Sequence, residues 1–209
     1  MNINFEQLKK VDLKVKEYSN ASLLIVTKNR PQNLILSLIK EGFNLFGENK
    51  VQEANEKFSS IEQNFKLHLI GPLQTNKAKL ALTLFDTIQS IDRPKLIKEI
   101  AKYIKSDMNI KTKEFFIQVN IGEEDQKSGV LPKYAKELYN TAIMNNLKIV
   151  GLMCIPPINE EPHKYFEKTC ILRDEINPDL MLSMGMSNDY DIALSFNSNL
   201  VRVGSRIFK

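Results

Sequence analysis

Eight short apolar runs alternate with amphipathic segments along the chain, and this alternation constrains the fold more than any other sequence feature. A short run of apolar, mostly branched residues predicts a strand buried on both faces. Apolar residues three and four positions apart predict a helix. Strands that alternate with helices pair in parallel, and eight repeats over about 180 residues can close into a barrel. We therefore predict an α/β fold, a (β/α)8 TIM barrel. An open doubly wound sheet is the alternative, but no glycine-rich dinucleotide turn follows the first strand.

The boundaries of the predicted elements come from turn residues and from the change of period. The first strand begins with the apolar run from Leu23 to Val26 and ends at Lys28, because Asn29-Arg30-Pro31 stops it. The other predicted strands are 45–49, 67–71, 87–92, 114–121, 148–155, 180–184 and 200–204. The predicted helices are 4–18, 31–41, 51–58, 74–84, 94–104, 132–144, 163–176 and 188–195, of which the first is an extra N-terminal helix.

Length and charge restrict the class of protein. A chain of 209 residues suits a single domain, 1–209. The net charge of +4 comes from scattered lysines without interleaved aromatic residues, so we expect no nucleic-acid partner. No apolar run reaches about 18 residues and no secretory signal is visible, so we expect no membrane contact and a cytoplasmic location. Cys154 and Cys170 fit neither a disulfide framework nor a zinc site, and no metal is expected.

Lys28 is the first candidate functional residue. In a parallel barrel the C-terminal strand ends carry the ligand-binding loops, and Lys28 ends the first strand. A lysine whose stem lies in apolar surroundings can have a lowered pKa and act as a nucleophilic amine. A lysine that merely caps the strand on the surface is the alternative, and this stretch alone leaves both open.

Two small loops near the C-terminus are candidates for binding a phosphate. Gly185 allows close approach of a ligand, while Ser187 and Asn188 open a predicted helix whose N–H groups would attract an anion. Gly204 and Ser205 follow the eighth strand and add a backbone N–H and a hydroxyl. Barrels typically bind phosphate after strands seven and eight. The alternative for Ser187 or Asn188 is simple capping of the helix.

Arg202 lies inside the predicted eighth strand, where an unpaired charge is costly to bury. Pointing into the barrel mouth, it would suit a ring nitrogen or an acid; pointing outward, it would form an ion pair. With Lys28 and the phosphate loops it suggests pyridoxal 5′-phosphate (PLP). This cofactor needs a neutral amine, a phosphate anchor and a partner for its pyridine nitrogen. A barrel aldolase using Lys28 on a phosphorylated sugar remains an alternative.

Several longer motifs resemble the pyridoxal phosphate homeostasis protein family (YggS/PROSC type), whose members are similar to the barrel domain of bacterial alanine racemases. The resemblance covers nearly the whole chain, and the motifs occur in the family's order. They are Val26-Thr-Lys28, Phe46-Gly-Glu-Asn-Lys-Val-Gln-Glu53, His68-Leu-Ile-Gly-Pro-Leu-Gln-Thr-Asn-Lys77, Ile91-Asp92, Asn120-Ile-Gly-Glu-Glu-Asp-Gln-Lys-Ser-Gly129, Gly151-Leu-Met-Cys-Ile-Pro-Pro157, Leu182-Ser-Met-Gly-Met-Ser187 and Val201-Arg-Val-Gly-Ser205.

The resemblance implies roles for individual residues. Lys28 matches the lysine that forms the covalent aldimine with PLP, and Arg202 matches the arginine that faces the pyridine nitrogen. The family often has threonine where Ser205 stands and glycine where Lys209 stands. The residues that match the remaining surroundings of the cofactor are Asn49, Met153, Ser183, Met186, Ser187, Gly204 and Ser205.

The resemblance also implies a function, the holding and delivery of PLP within the cell without catalysis. Related racemases use a tyrosine from a second domain, which we do not expect in this chain. PLP-dependent apo-enzymes would then be the recipients, and a monomer is expected. The alternative is a small PLP-dependent enzyme, such as an amino-acid racemase or lyase. That alternative requires a second acid/base group, from a tyrosine or Cys154, because we expect His68 to be a structural hydrogen-bonding residue.

Overall fold

Eight parallel strands close into a barrel in the order in which they occur along the chain. The computed structural model describes residues 2–106 and 109–208, so Lys209 lies outside the described residues. The first strand pairs with both the second and the eighth, which confirms the (β/α)8 barrel over the open sheet. The strands are β1 (Ser22–Val26), β2 (Leu45–Glu48), β3 (Lys66–Leu69), β4 (Thr87–Ile91), β5 (Glu114–Val119), β6 (Ile149–Cys154), β7 (Met181–Met186) and β8 (Leu200–Val203).

The helices cover the outside of the barrel. The predicted N-terminal helix is confirmed: Asn4 caps it by accepting the N–H of Gln7, and Leu8, Val11 and Val15 are buried on one face. Among the described residues, no helix is long and apolar enough to cross a bilayer. The helices are α1 (Phe5–Lys16), α2 (Gln32–Lys40), α3 (Val51–Phe58), α4 (Ala78–Leu84), α5 (Pro94–Lys105), α6 (Pro132–Met144), α7 (His163–Ile176) and α8 (Tyr190–Ser195).

Three element boundaries differ from the prediction, at a 3₁₀ turn, at a register shift and at a side-chain hydrogen bond. The segment predicted as one helix over 74–84 begins as a 3₁₀ turn, Thr75–Lys77, before α4. Strand β7 runs two residues further than predicted, because a register shift lets Met186 pair with Arg202 of β8. Helix α8 begins at Tyr190 rather than at 188, since the Asp189 carboxylate accepts the N–H of Met186 and closes a turn there.

Alternation along the strands divides the apolar residues into two cores. Outward-facing residues pack against the helices, as Phe46 of β2 does against Phe58 of α3, with ring centroids 5.8 Å apart. Phe116, Met153 and Leu200 form a separate buried cluster inside the barrel. The lumen is therefore a packed layer rather than a channel, as is usual for barrels of eight strands.

Gly151 and Gly42 allow two costs of replacing a glycine to be compared: the cost of a steric clash and the cost of backbone strain. A Cβ on Gly151 would lie 2.4 Å from both Met181 O and Phe116 Cε1. Gly42 follows α2 with φ +88°, and a Cβ there would meet nothing within 4 Å. The first substitution would overpack the interior, and the second would only strain the backbone.

We predict that Gly151→Ala lowers the free energy of unfolding by about 3 kcal/mol. The Gly42→Ala control should lose only about 1 kcal/mol, because it places an L residue in the left-handed region. Urea unfolding followed by circular dichroism measures both. Equal losses in the two variants would contradict close packing of the lumen at Gly151.

Candidate functional site

Lys28 lies at the rim of the C-terminal mouth of the barrel, with its side chain exposed. Strand β1 ends at Val26 rather than at Lys28, although the Thr27 N–H still donates to Gly47 O at 3.0 Å. The turn begins at Lys28 because Asn29 adopts a left-handed conformation, with φ +57°. The predicted position at a strand end is thus corrected by two residues, and the apolar surroundings expected for the stem are not observed.

The loops after β7 and β8 meet through the hydroxyl of Ser187. Ser187 is buried, and its Oγ accepts the N–H of Gly204 at 3.3 Å and that of Arg206 at 3.4 Å. The Arg206 guanidinium donates to Ser187 O at 3.0 Å and ties the loops together again. The alternative in which Ser187 or Asn188 caps a helix is wrong, because Asp189 occupies the cap position of α8.

Gly204 brings the end of β8 against the backbone of β1. A Cβ at this position would lie 2.9 Å from Val26 O and 3.1 Å from Val26 Cβ. Ser205 follows in a turn with its side chain exposed. Ser187, Gly204 and Ser205 therefore lie together next to β1, and we call this group of hydroxyl and backbone N–H groups the cradle.

Arg202 is buried inside the barrel with neutral hydrogen-bond partners. Its Nη1 donates to Ser183 Oγ and its Nη2 to Cys154 O, both at 2.8 Å. These bonds occupy two of the five guanidinium N–H donors. No carboxylate among the described residues forms an ion pair with it, and a buried cation of this kind favours a ligand that supplies an acceptor.

A chain of hydrogen bonds crosses the lumen from Arg202 to His68. Ser183 Oγ donates to Gln89 Oε1 at 2.6 Å, and Gln89 Nε2 donates to His68 Nδ1 at 2.8 Å. Burial lowers the pKa of His68 to about 4, so its ring is neutral and Nδ1 is free to accept. The structural role expected for His68 is confirmed. Gln89 was not identified from the sequence as part of this network. The signal was its polar side chain within the predicted strand 87–92.

The other predicted residues line the mouth at different depths. Met153 is fully buried in the interior cluster and lies in register with Ser183. Asn49 follows β2, and its backbone contacts Gly71, where a Cβ would lie 2.2 Å from Asn49 O. Met186 ends β7 half-buried. All nine predicted residues are thus on β1, β2, β6, β7, β8 or the turns after them, with Met153, Ser183 and Arg202 the deepest.

The Cys154 thiol is directed away from the lumen. Its Sγ accepts a hydrogen bond from Thr169 of α7 at 3.3 Å, and burial raises its pKa to about 11. Within the described part of the chain, no three His, Cys, Asp or Glu side chains are placed to hold a metal ion. The groups that could hold a ligand at the mouth are therefore an amine, hydroxyls, N–H donors and a guanidinium.

A separate cavity of about 480 Å³ lies at the opposite end of the barrel. It is lined by residues before β1 and around the starts of β7 and β8, including Tyr18, Arg173 and Asn199. Arg173 is already engaged there by Asp174 and Leu180 O. Lys28, Ser187, Ser205 and, deeper in the barrel, Arg202 lie on the side of the mouth, so we assign the candidate site to the mouth.

The chain matches the family described as alanine racemase, N-terminal domain, over residues 4–209. It is 37% identical over 198 residues to the pyridoxal phosphate homeostasis protein of Aquifex aeolicus, covering 90% of this chain and 86% of that protein. The protein of the same name from Haemophilus influenzae is 35% identical over 230 residues, covering 99% of this chain and 93% of that protein.

Solved structures show the same fold. PipY of Synechococcus elongatus PCC7942 without PLP superposes with a TM-score of 0.86 at 28% identity, covering 98% of this chain and 99% of PipY. PipY with PLP bound gives 0.84 at the same identity and coverage. Alanine racemase from Acinetobacter baumannii gives 0.77 at 16% identity, over 98% of this chain and 61% of the racemase, which supports the fold alone.

The burial of neutral His68 should make stability depend on pH. The pKa is about 4 in the folded protein against 6.5 when unfolded, so between these values only the unfolded chain binds the proton. The contribution of neutral His68 to the free energy of unfolding is complete above pH 6.5. It is lost as the pH falls towards 4, by up to roughly 3 kcal/mol. We predict that the stability advantage of wild type over His68→Asn narrows by about that amount across this window.

Urea unfolding at several pH values measures this difference. Asn retains an acceptor for Gln89 but does not titrate, so the comparison isolates the imidazole. His163→Asn is the matched control, because it makes the same replacement at an exposed histidine. A constant gap between wild type and His68→Asn would show that His68 is not held neutral by the fold.

Proposed function

The chain belongs to the alanine racemase N-terminal domain family and to the pyridoxal phosphate homeostasis proteins, and we propose that it binds, holds and delivers PLP without catalysing a reaction. The observation that carries the proposal is the placement of Arg202, buried with neutral partners, beside the cradle at the ends of β7 and β8. PLP supplies an aldehyde that forms a reversible covalent bond with an amine.

The cradle fits the phosphate of PLP. Gly204 lets the end of β8 lie close against β1, because a Cβ there would strike Val26 O, and the N–H groups of Gly204 and Arg206 both lie within hydrogen-bond distance of Ser187 Oγ. A phosphate oxygen accepts from such N–H and hydroxyl groups. The exposed Ser205 hydroxyl is available as a further donor. We assign the phosphate to Ser187, Gly204 and Ser205.

Arg202 fits the pyridine nitrogen. Three of its five N–H donors remain after the bonds to Ser183 and Cys154 O. A guanidinium can only donate, so it favours an unprotonated ring nitrogen and a weaker electron sink than a carboxylate would create. This property suits a protein that stores the cofactor better than one that withdraws electrons through it. Asn49, Met153 and Met186 would line the ring.

Lys28 is the proposed covalent tether. Its Nζ would hold the cofactor through the reversible bond to the aldehyde, with water released when the bond forms and taken up again when a recipient takes the cofactor. The exposed rim position of Lys28 favours this exchange, since an acceptor can approach without opening the barrel.

The geometry of Cys154 counts against the enzyme alternative. A racemase or lyase needs a second acid/base near the reacting carbon. The Cys154 thiol lies on the helix side of β6 with its pKa raised to about 11 by burial, so it does not serve that purpose. We further propose that residues 1–209 act as one domain and as a monomer, and that PLP-dependent apo-enzymes are the recipients.

We predict that purified protein mixed with PLP develops an absorbance band near the visible edge and that Lys28→Ala lacks it. Borohydride should erase the band and leave a reduced phosphopyridoxyl group on the peptide that contains Lys28, as mass spectrometry would show. Lys50→Ala, another exposed lysine near the mouth, is the control and should retain the band. Labelling elsewhere, or an unchanged band in Lys28→Ala, would refute the tether. A sugar-phosphate adduct without the band would favour the aldolase.

We also predict that the PLP-loaded protein shows no steady turnover of D- or L-amino acids. Chiral chromatography and detection of released carbon dioxide would measure racemisation and decarboxylation over many equivalents of substrate. At most, the amino acids should remove the bound PLP, one equivalent per protein molecule. Sustained multiple turnover that disappears in Lys28→Ala would establish the enzyme alternative instead.

A further inference from the structure

We propose that Glu48, Glu53 and Lys57 form an ionic clamp that positions the turn carrying Lys28. The clamp lies on the outer side of the barrel wall, where Glu48 ends β2 and the other two residues project from α3. It deepens the proposed function and rests on it, because positioning matters only if Lys28 is the tether. Glu48, Glu53 and Lys57 would then be positioning residues that act through the backbone of Lys28's neighbours.

The clamp holds the residues on both sides of Lys28. Thr27 Oγ1 donates to Glu48 Oε1 at 2.6 Å, and Lys57 Nζ donates to Thr27 O at 2.8 Å. The backbone N–H of Asn29 donates to Glu53 Oε1. Three hydrogen bonds therefore fix residues 27 and 29, while the side chain of Lys28 stays exposed between them.

Lys57 is fully engaged within the clamp. Its Nζ contacts Glu48 Oε1, Glu53 Oε1 and Thr27 O, which matches its three N–H donors with three acceptors. Its side chain is only 10% exposed and that of Glu48 is completely buried. These three contacts occupy the Lys57 amine, so it does not compete with Lys28 for an aldehyde.

A buried ion pair is a costly way to stabilise a fold, since an apolar pair of similar shape often does as well. Here the polar atoms have a further use, because Lys57 and both carboxylates each bond to the Lys28 turn. The left-handed conformation of Asn29 also needs support from its surroundings. A fixed turn aims a long flexible side chain at one place, which raises the rate of attack on a bound aldehyde.

Glu53→Ala is the first test, because Glu53 lies at the edge of the clamp and its loss leaves the buried pair intact. Stopped-flow absorbance measures the rate of Schiff-base formation with PLP. Equilibrium titration with pyridoxine 5′-phosphate, which has an alcohol in place of the aldehyde, measures non-covalent binding. We expect a rate about tenfold lower with an unchanged dissociation constant for the alcohol.

Two further variants separate positioning from folding. Glu53→Gln keeps an acceptor for the Asn29 N–H and should recover most of the rate. Glu56→Ala, an exposed glutamate on the same helix, should behave as wild type. The double variant Glu48→Gln with Lys57→Met removes the buried charges together and should slow Schiff-base formation without weakening binding of the alcohol.

The outcomes distinguish the two proposals. If wild type forms a Schiff base at Lys28 but Glu53→Ala and the double variant form it equally fast, the clamp does not position Lys28. If the clamp variants bound PLP and pyridoxine 5′-phosphate equally less tightly than wild type, the positioning role would also be overturned. That result would show that the clamp residues only support the overall structure. If wild type forms no Schiff base at Lys28, the proposed function itself fails.

Discussion

The buried guanidinium of Arg202 is the interaction on which the order of the barrel interior depends. Because arginine only donates hydrogen bonds, its bond to Ser183 obliges that hydroxyl to donate onward to Gln89. Gln89 must then present its amide nitrogen to His68, which accepts as a neutral ring. One cation thus sets the direction of the hydrogen bonds that run from β8 through Ser183 and Gln89 to His68 on β3.

The fold was largely predictable because the alternation of strands and helices is regular. The residues at the ends of β7 and β8 were also predictable, since small hydroxyl-bearing loops follow both strands. Contacts between distant strands were not: Gln89 and Ser183 are 94 residues apart, and Gln89 alone looks like an isolated polar residue. The end of β1 was placed two residues late because the left-handed conformation of Asn29 has no counterpart in the apolar pattern.

The two faces of a single strand serve different purposes around Lys28. On β2, a Cβ at Gly47 would meet Leu24 and Ile70 in the lumen, whereas Glu48 faces α3 and bonds to Lys57 and Thr27. Ligand-facing groups therefore share a backbone with groups that hold the rim in place. The spacing of Glu53 and Lys57 on one helix face was readable from the sequence. Their convergence with Glu48 on one turn required the closed barrel.

The pairing of β1 with β8 determines when the mouth can form during synthesis of the chain. Lys28 leaves the ribosome well before the cradle at Gly204 and Ser205 is translated. The two halves of the mouth are adjacent only after the final strand has paired with the first. A nascent chain therefore lacks the complete proposed site, and on that proposal ligand binding would report that the barrel has closed. A ligand that binds only the closed barrel stabilises it, so the cofactor would also oppose separation of β1 from β8.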